Sequence, residues 1–168
     1  MAMLHEMIND PEIENATGGW GFPVSQWQQQ KWYESAVNDT KTRRFMIETT
    51  DTDVPQTIGM IYLTDLDWKN RSVATGIKLP ANAPRGKGYA TDAVMALLGY
   101  AFQELQIHRV SLKIKEDNLP SVKLYERCGG KREGILRETL YKDGRFWNQY
   151  AYGILKTDYE EAYQKYYG

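Results

Sequence analysis

The chain has 168 residues, 42% hydrophobic and 26% charged, the composition of one globular domain with a single core and too short for two full ones. Its net charge of −1 supplies no general attraction to nucleic acid or an anionic membrane, so any basic site has to be local. No apolar run approaches the roughly 20 residues that cross a bilayer, no secretory signal opens the chain, and one cysteine with two histidines excludes an internal disulfide and makes a Cys/His metal centre implausible, so a metal-free cytoplasmic protein is expected.

In chain order, residues 3–8 read as a short helix stopped by Asn9, Asp10 and Pro11. Glu12 and Glu14 follow, either as acidic residues favouring a helix start or as attractors of a cationic substrate. A second helix is expected over 25–37. Between them GGWGFP, residues 18–23, carries Trp20 and Phe22 on a glycine-softened loop, read either as a mobile flap or as a loop pinned by its rings. From Arg44 the period changes to strands over 44–49, 56–64 and 72–79, an antiparallel meander. After PANAPRGKG, residues Ala90, Val94, Leu97, Leu98, Ala101, Phe102 and Leu105 keep the 3–4 spacing of an amphipathic helix. Val110, Leu112 and Ile114 then alternate with Ser111, Lys113 and Lys115 as a strand. A short helix over 120–127 ends at Gly129 and Gly130, and strands over 134–141 and 146–155 flank a KDGR turn. The final helix, 158–167, places Tyr159, Tyr163 and Tyr166 on one side, to cover either an interface or the chain's own surface. Meander, helix, strand, helix and hairpin make an α+β domain with a mixed sheet, spanning 1–168.

The chemistry concentrates in RGKGYAT, residues 85–91, between a strand and the first turn of the long helix. A helix start presents unpaired N–H groups and a positive dipole end, Gly86 and Gly88 allow close approach, and Arg85 and Lys87 add charge. The pattern suits a pyrophosphate; a glycine-softened helix start with solvated charges, or a nucleotide site, are the alternatives, since neither GxxxxGK[ST] nor GxGxxG is present. Further on, Asn118, Ser121, Tyr125 and Cys128 are spaced to share one helical face.

These two segments resemble the GNAT superfamily of acyl-CoA-dependent N-acyltransferases: Arg85, Gly86, Lys87, Gly88, Tyr89 and Ala90 fit its Arg/Gln-x-x-Gly-x-Gly/Ala signature, and Asn118, Ser121, Leu124 and Tyr125 its following helix. The resemblance runs over about residues 40–157, nearest to branches acetylating ribosomal-protein N-termini, spermidine or amino sugars. It implies a single-domain fold whose mixed sheet splays between two parallel strands flanked by helices. It also implies acetyl-CoA as co-substrate, with the pyrophosphate on the amides of Arg85 through Tyr89, Ala90 and Thr91. The pantetheine arm would bond the backbone near Ile77, Lys78 and Leu79, with Asn118 and Ser121 fixing the cofactor. Tyr125 would give its proton to the leaving thiolate. Cys128 reads as a packing residue, because no histidine is placed to activate it. Two departures stand out: Gly130 occupies a position often aromatic in relatives, and the family's opening edge strand has no counterpart, which leaves a missing strand or a sheet edge open to another chain, with a homodimer among the outcomes.

The implied reaction is acetyl transfer to a primary amine by direct attack in a ternary complex. A lysine-like amine with pKa near 10.4 costs about 4–5 kcal/mol to deprotonate near pH 7, an α-amine near 7.7–8.0 only about 1. SVATGIKL, residues 72–79, carries no carboxylate, so Asp65, Asp67 and Glu48 are the candidate bases, and an acceptor of low pKa is favoured. A non-catalytic acyl-CoA-binding domain is the alternative.

Overall fold

In the computed structural model, which describes residues 2–18, 21–51 and 53–168, three helices precede the sheet. They are α1 (Ala2–Ile8), α2 (Pro11–Thr17) and α3 (Gln26–Ala36). Asp10 accepts hydrogen bonds from the Glu12 and Ile13 amides with Pro11 in the first turn, so the acidic pair does open a helix. Ser25 and Gln28 form a reciprocal capping box on α3. The centre of the 18–23 loop, Gly19 and Trp20, lies outside the described residues, and with it the flap expectation.

The meander is β1 (Arg43–Glu48), β2 (Thr57–Asp67) and β3 (Ser72–Lys78), each antiparallel to the next. Then come α4 (Tyr89–Gly99), β4 (Arg109–Lys115), α5 (Leu119–Arg127), β5 (Lys131–Lys142), β6 (Arg145–Leu155) and α6 (Lys156–Tyr167). The long helix changes character at its end, since residues 100–104 form a π-helical turn. The six strands lie in the order β1-β2-β3-β4-β6-β5, so the last hairpin inserts β6 beside β4. No strand precedes α1 among the described residues, and β1 and β5 are the outer strands of the sheet.

One sheet face is apolar. Ile61, Leu63, Val73, Val110, Leu112 and Ile114 join Val94, Met95, Leu97 and Leu98 of α4 in the core, each such side chain contributing about 1.5–3 kcal/mol on burial. The tail helix belongs to the same body, because Tyr159 is buried against Phe102 with ring centroids 5.6 Å apart, while Tyr163 and Tyr166 of the same stripe stay exposed. The opposite face, carrying Met60, Tyr62 and Lys78, is roofed by α1 and α3.

The decisive feature is the parting of β3 and β4. They pair in parallel at Ser72–Arg109, Val73–Val110 and Ala74–Ser111, and there the ladder stops. β2 stays paired with β3 up to Lys78, and β6 with β4 up to Lys115, so each outer neighbour holds its strand as the two diverge. From Thr75 onward two inner backbone edges face each other without a ladder between them, the splay that the sequence reading expects.

Candidate active site

A groove of about 420 Å³ opens at the end of the splay, walled by α2, the end of β3, the loop before α4 and the start of α5. It gathers Ile77, Lys78, Leu79, Arg85, Gly86, Gly88, Tyr89, Ala90, Thr91, Asn118 and Ser121, residues spread over more than 40 positions of sequence. Gly86 and Gly88 adopt φ of 76° and 86°, a left-handed backbone that glycine takes without strain. No side chain caps α4, so its first amides stay available to a ligand.

Individual side chains behave differently from a simple anion cup. Arg85 pairs with Glu12 of α2 at 3.2 Å, and Glu14 pairs with Lys142 at 2.8 Å. The two glutamates are therefore each paired with a cation of the same chain, Glu12 in an exposed pair. Lys87 turns to a different cavity, its Nζ 5.9 Å from the Tyr89 ring centroid, and the Tyr89 hydroxyl donates to Asp51 at 2.8 Å, which raises its pKa. Asn118 is structural at both ends of its amide: Oδ1 caps the Ser121 amide at 3.2 Å and Nδ2 donates to the Ala16 carbonyl at 3.1 Å, tying α5 to α2.

Tyr125 lies below the groove rather than in its wall. It is 3% exposed, and its hydroxyl is buried with no hydrogen-bond partner among the described residues. Thr75, the first residue past the parting, neighbours it; its hydroxyl donates to the Tyr62 carbonyl at 2.9 Å, and its oxygen lone pairs stay open toward the phenol, a contact that opposes the rise in the phenol pKa. Burial drives the phenol pKa far up, and Tyr62 and Cys128 nearby add to the rise. An orphaned buried hydroxyl is costly, on the order of 1–3 kcal/mol, unless something else fills its bond.

The helix that carries Tyr125 is fixed at its end by two bonds, Gly130 N–H to the Tyr125 carbonyl at 2.7 Å and Gly129 N–H to Glu126 at 3.2 Å, a Schellman closure. A Cβ on Gly130 would sit 2.7 Å from that same carbonyl oxygen, which accounts for glycine where an aromatic residue would not fit. Cys128 is fully buried and its thiol is pushed up to about 12 by burial, the inert packing residue expected.

None of the candidate bases reaches the splay. Asp67 binds the Asn70 amide and side chain at 2.9 and 2.7 Å, which lowers its pKa, in the turn after β2. Asp65 is an exposed residue at φ 55° in the bulge near the end of β2, and Glu48 lines the cavity that Lys87 faces. Sequence reasoning missed Tyr62 and gave Lys78 a role through its backbone alone. Tyr62 stands opposite Gly76 in the β2–β3 register with its ring over that glycine, and the Lys78 side chain enters a second cavity on the far sheet face. The pairing register that an antiparallel meander forces was the available signal for Tyr62. Among the described residues no group of three or more His, Cys, Asp and Glu could hold a metal, and no helix is long and apolar enough to cross a membrane.

The model of the acetyltransferase (GNAT) domain matches residues 1–131, more than three-quarters of the chain. The chain belongs to the GNAT acetyltransferase family. The match includes the N-terminal helices, so the family likeness begins well before residue 40, where the sequence reading starts it. An uncharacterized N-acetyltransferase, p20, of Bacillus licheniformis is 30% identical over 94% of this chain and 88% of its own. The spermidine N(1)-acetyltransferase of Vibrio cholerae serotype O1 is 31% identical over 76% of this chain and 71% of its own. The crystal structure of the Vibrio cholerae spermidine N-acetyltransferase in complex with CoA and spermine superposes with a TM-score of 0.85 at 26% identity, covering 95% of this chain and 91% of that one. As a GNAT protein the chain is an acyltransferase, and the parted parallel strands are that family's fold.

Proposed function

We propose that this GNAT protein transfers acetyl from acetyl-CoA to a primary amine by direct attack, and that Tyr125 is the acid that protonates the departing sulfur. The observation that carries the reading is the buried, unpartnered Tyr125 hydroxyl beside the parting of β3 and β4.

The groove fits acetyl-CoA on three counts. The bare amides behind Gly86 and Gly88 suit a diphosphate. The free backbone edge from Thr75 to Lys78 suits an amide-bearing arm. The orphaned phenol lacks a partner that a thiolate would supply. When bound, the thioester supplies an activated acetyl carbon. The backbone of Gly76 through Leu79 would hold the arm and place a fixed dipole at the thioester oxygen. The amine nitrogen forms the new bond to carbon as the carbon–sulfur bond breaks. Tyr125 gives its proton to sulfur, and the proton shed by nitrogen returns through solvent to the phenolate, so CoA leaves as the thiol.

With no carboxylate at the splay, the acceptor has to arrive with an accessible neutral amine, which favours a low pKa. Polyamine, the substrate in the Vibrio relative's name, and an α-amine are the two acceptor classes in play.

Steady-state thiol release tests the role of Tyr125. Tyr125→Phe is expected to lower kcat about 10²-fold while CoA affinity by calorimetry stays within about twofold, because the hydroxyl lies beneath the groove. Unchanged turnover would remove Tyr125 from the reaction.

A further inference from the structure

A second cavity, about 430 Å³, lies across the sheet from α4, between the β1–β3 face and the roof of α1 and α3. Its size is that of a small-molecule site. Met7, Ile8, Trp32, Met60 and Tyr62 make its walls largely apolar, and Lys78, paired with Met60 in the sheet, lines both this cavity and the groove.

The charges around the cavity are one-sided. Arg44 and Lys78 line it, and among the described residues no aspartate or glutamate does. Arg44 is already engaged, 3.2 Å from Asp39 and 5.1 Å from the centroid of the Trp32 ring. Lys78 makes no hydrogen bond or ion pair among the described residues, and burial without a counter-charge lowers its pKa. An anion brought to that amine would supply the missing partner. A cation would meet the unpaired Lys78 amine, with the neighbouring carboxylate of Asp39 already taken by Arg44.

We propose that this cavity is the acceptor site and that it takes a small apolar primary amine carrying a carboxylate, of the α-amino acid type, with the carboxylate on Lys78 and the apolar group against Trp32 and Met60. The proposal rests on the acetyltransferase reading above and excludes a polyamine as the preferred acceptor. Spacing is consistent with it: Gly76 and Lys78 point to the same face of β3, about 7 Å apart. The Tyr62 ring covers Gly76, so an amine would pass beside that ring, a few bonds from an anion held by Lys78. In the transfer the amine nitrogen bonds the acetyl carbon, the carbon–sulfur bond breaks, sulfur takes the Tyr125 proton, the proton lost by nitrogen returns through solvent to the Tyr125 phenolate, and the carboxylate is unchanged.

The test uses the full chain and matched pairs that differ by the carboxylate: phenylalanine against phenethylamine, leucine against 3-methylbutylamine, methionine against 3-methylthiopropylamine, with spermidine as the polycation. Thiol release from acetyl-CoA is read for each, and so is calorimetric binding of each amine to the CoA-loaded protein. At least one carboxylate-bearing member should exceed its partner and spermidine about 30-fold or more in kcat/KM. Lys78→Met should erase that preference, mainly through KM, and Lys78→Glu should shift it toward spermidine, in variants whose melting temperature matches the parent. Equal use of both members in every pair, a preference for spermidine, or equal losses on both members in Lys78→Met would overturn the proposal. If no amine releases thiol yet a carboxylate-bearing member still binds preferentially, the transfer reading fails and the assignment of the cavity stands.

Discussion

At Tyr125 the cost of burying a hydroxyl without a partner and the needs of a leaving thiolate meet in one atom. Because burial raises the phenol pKa, the proton stays on oxygen below that raised value and is lost only above it, so the acid remains loaded across the range in which amines deprotonate. In a pH–rate profile, kcat should rise as the acceptor loses its proton and then hold to about pH 10, the ordinary phenol value. A descending limb below that pH would contradict the raised phenol pKa, and a profile with the same limbs and the same kcat in Tyr125→Phe would contradict the assignment of the acid. Arg85 gives a second test at this scale. Its pair with Glu12 is exposed, 68% and 66%, and so is worth no more than about 1 kcal/mol, but the carboxylate competes with an incoming phosphate for the same guanidinium. Glu12→Gln should tighten CoA binding by about two- to fivefold in calorimetry. Weaker binding would mean that Glu12 supports the cofactor instead.

The end of α5 shows how an element is held for the sake of one residue. Gly130→Ala would drive a methyl group to 2.7 Å from the Tyr125 carbonyl oxygen, and relief requires moving the helix end that carries the acid. Overpacking of this kind costs about 1–3 kcal/mol, or a fall of about 2–12 °C in melting temperature for a chain of this size, with a loss of kcat beyond what stability explains. An unchanged melting curve would show that the closure is slack. The same element was readable in the sequence because Asn118 and the Gly129–Gly130 pair bracket it with start and stop chemistry. α4 was readable from its apolar spacing, although its last turn is π-helical, which the 3–4 spacing up to Leu105 does not reveal. The roles of Asn118 and Lys87 side chains were less readable. Motif position brings both to the loop and helix, but cap geometry and rotamer decide what each touches.

On the scale of the whole molecule, one sheet separates two cavities that meet at the end of β3, the groove toward α5 and the apolar cavity toward α3. The order of elements was legible from the changes of period, and the parallel pair of residues 72–79 with 110–115 came from the family resemblance. The second cavity was not legible. Lys78 alternates along β3 as a solvent-facing residue would, and only the roof of α1 and α3 turns that face inward. Lys115 shows the same effect: alternation marks it polar, yet it is 2% exposed, bonded to Asp117 at 2.7 Å and 3.8 Å from the Trp147 centroid. Tertiary cover, which a strand pattern does not contain, decides both. The account depends throughout on acetyl-CoA lying with its diphosphate on the loop before α4 and its arm along the free edge of β3. Backbone amide spectra recorded while CoA is titrated into the protein test this directly. The account predicts that the largest shifts fall on Gly86, Gly88 to Thr91 and Gly76 to Leu79, and shifts that leave both segments unmoved while others respond would contradict it.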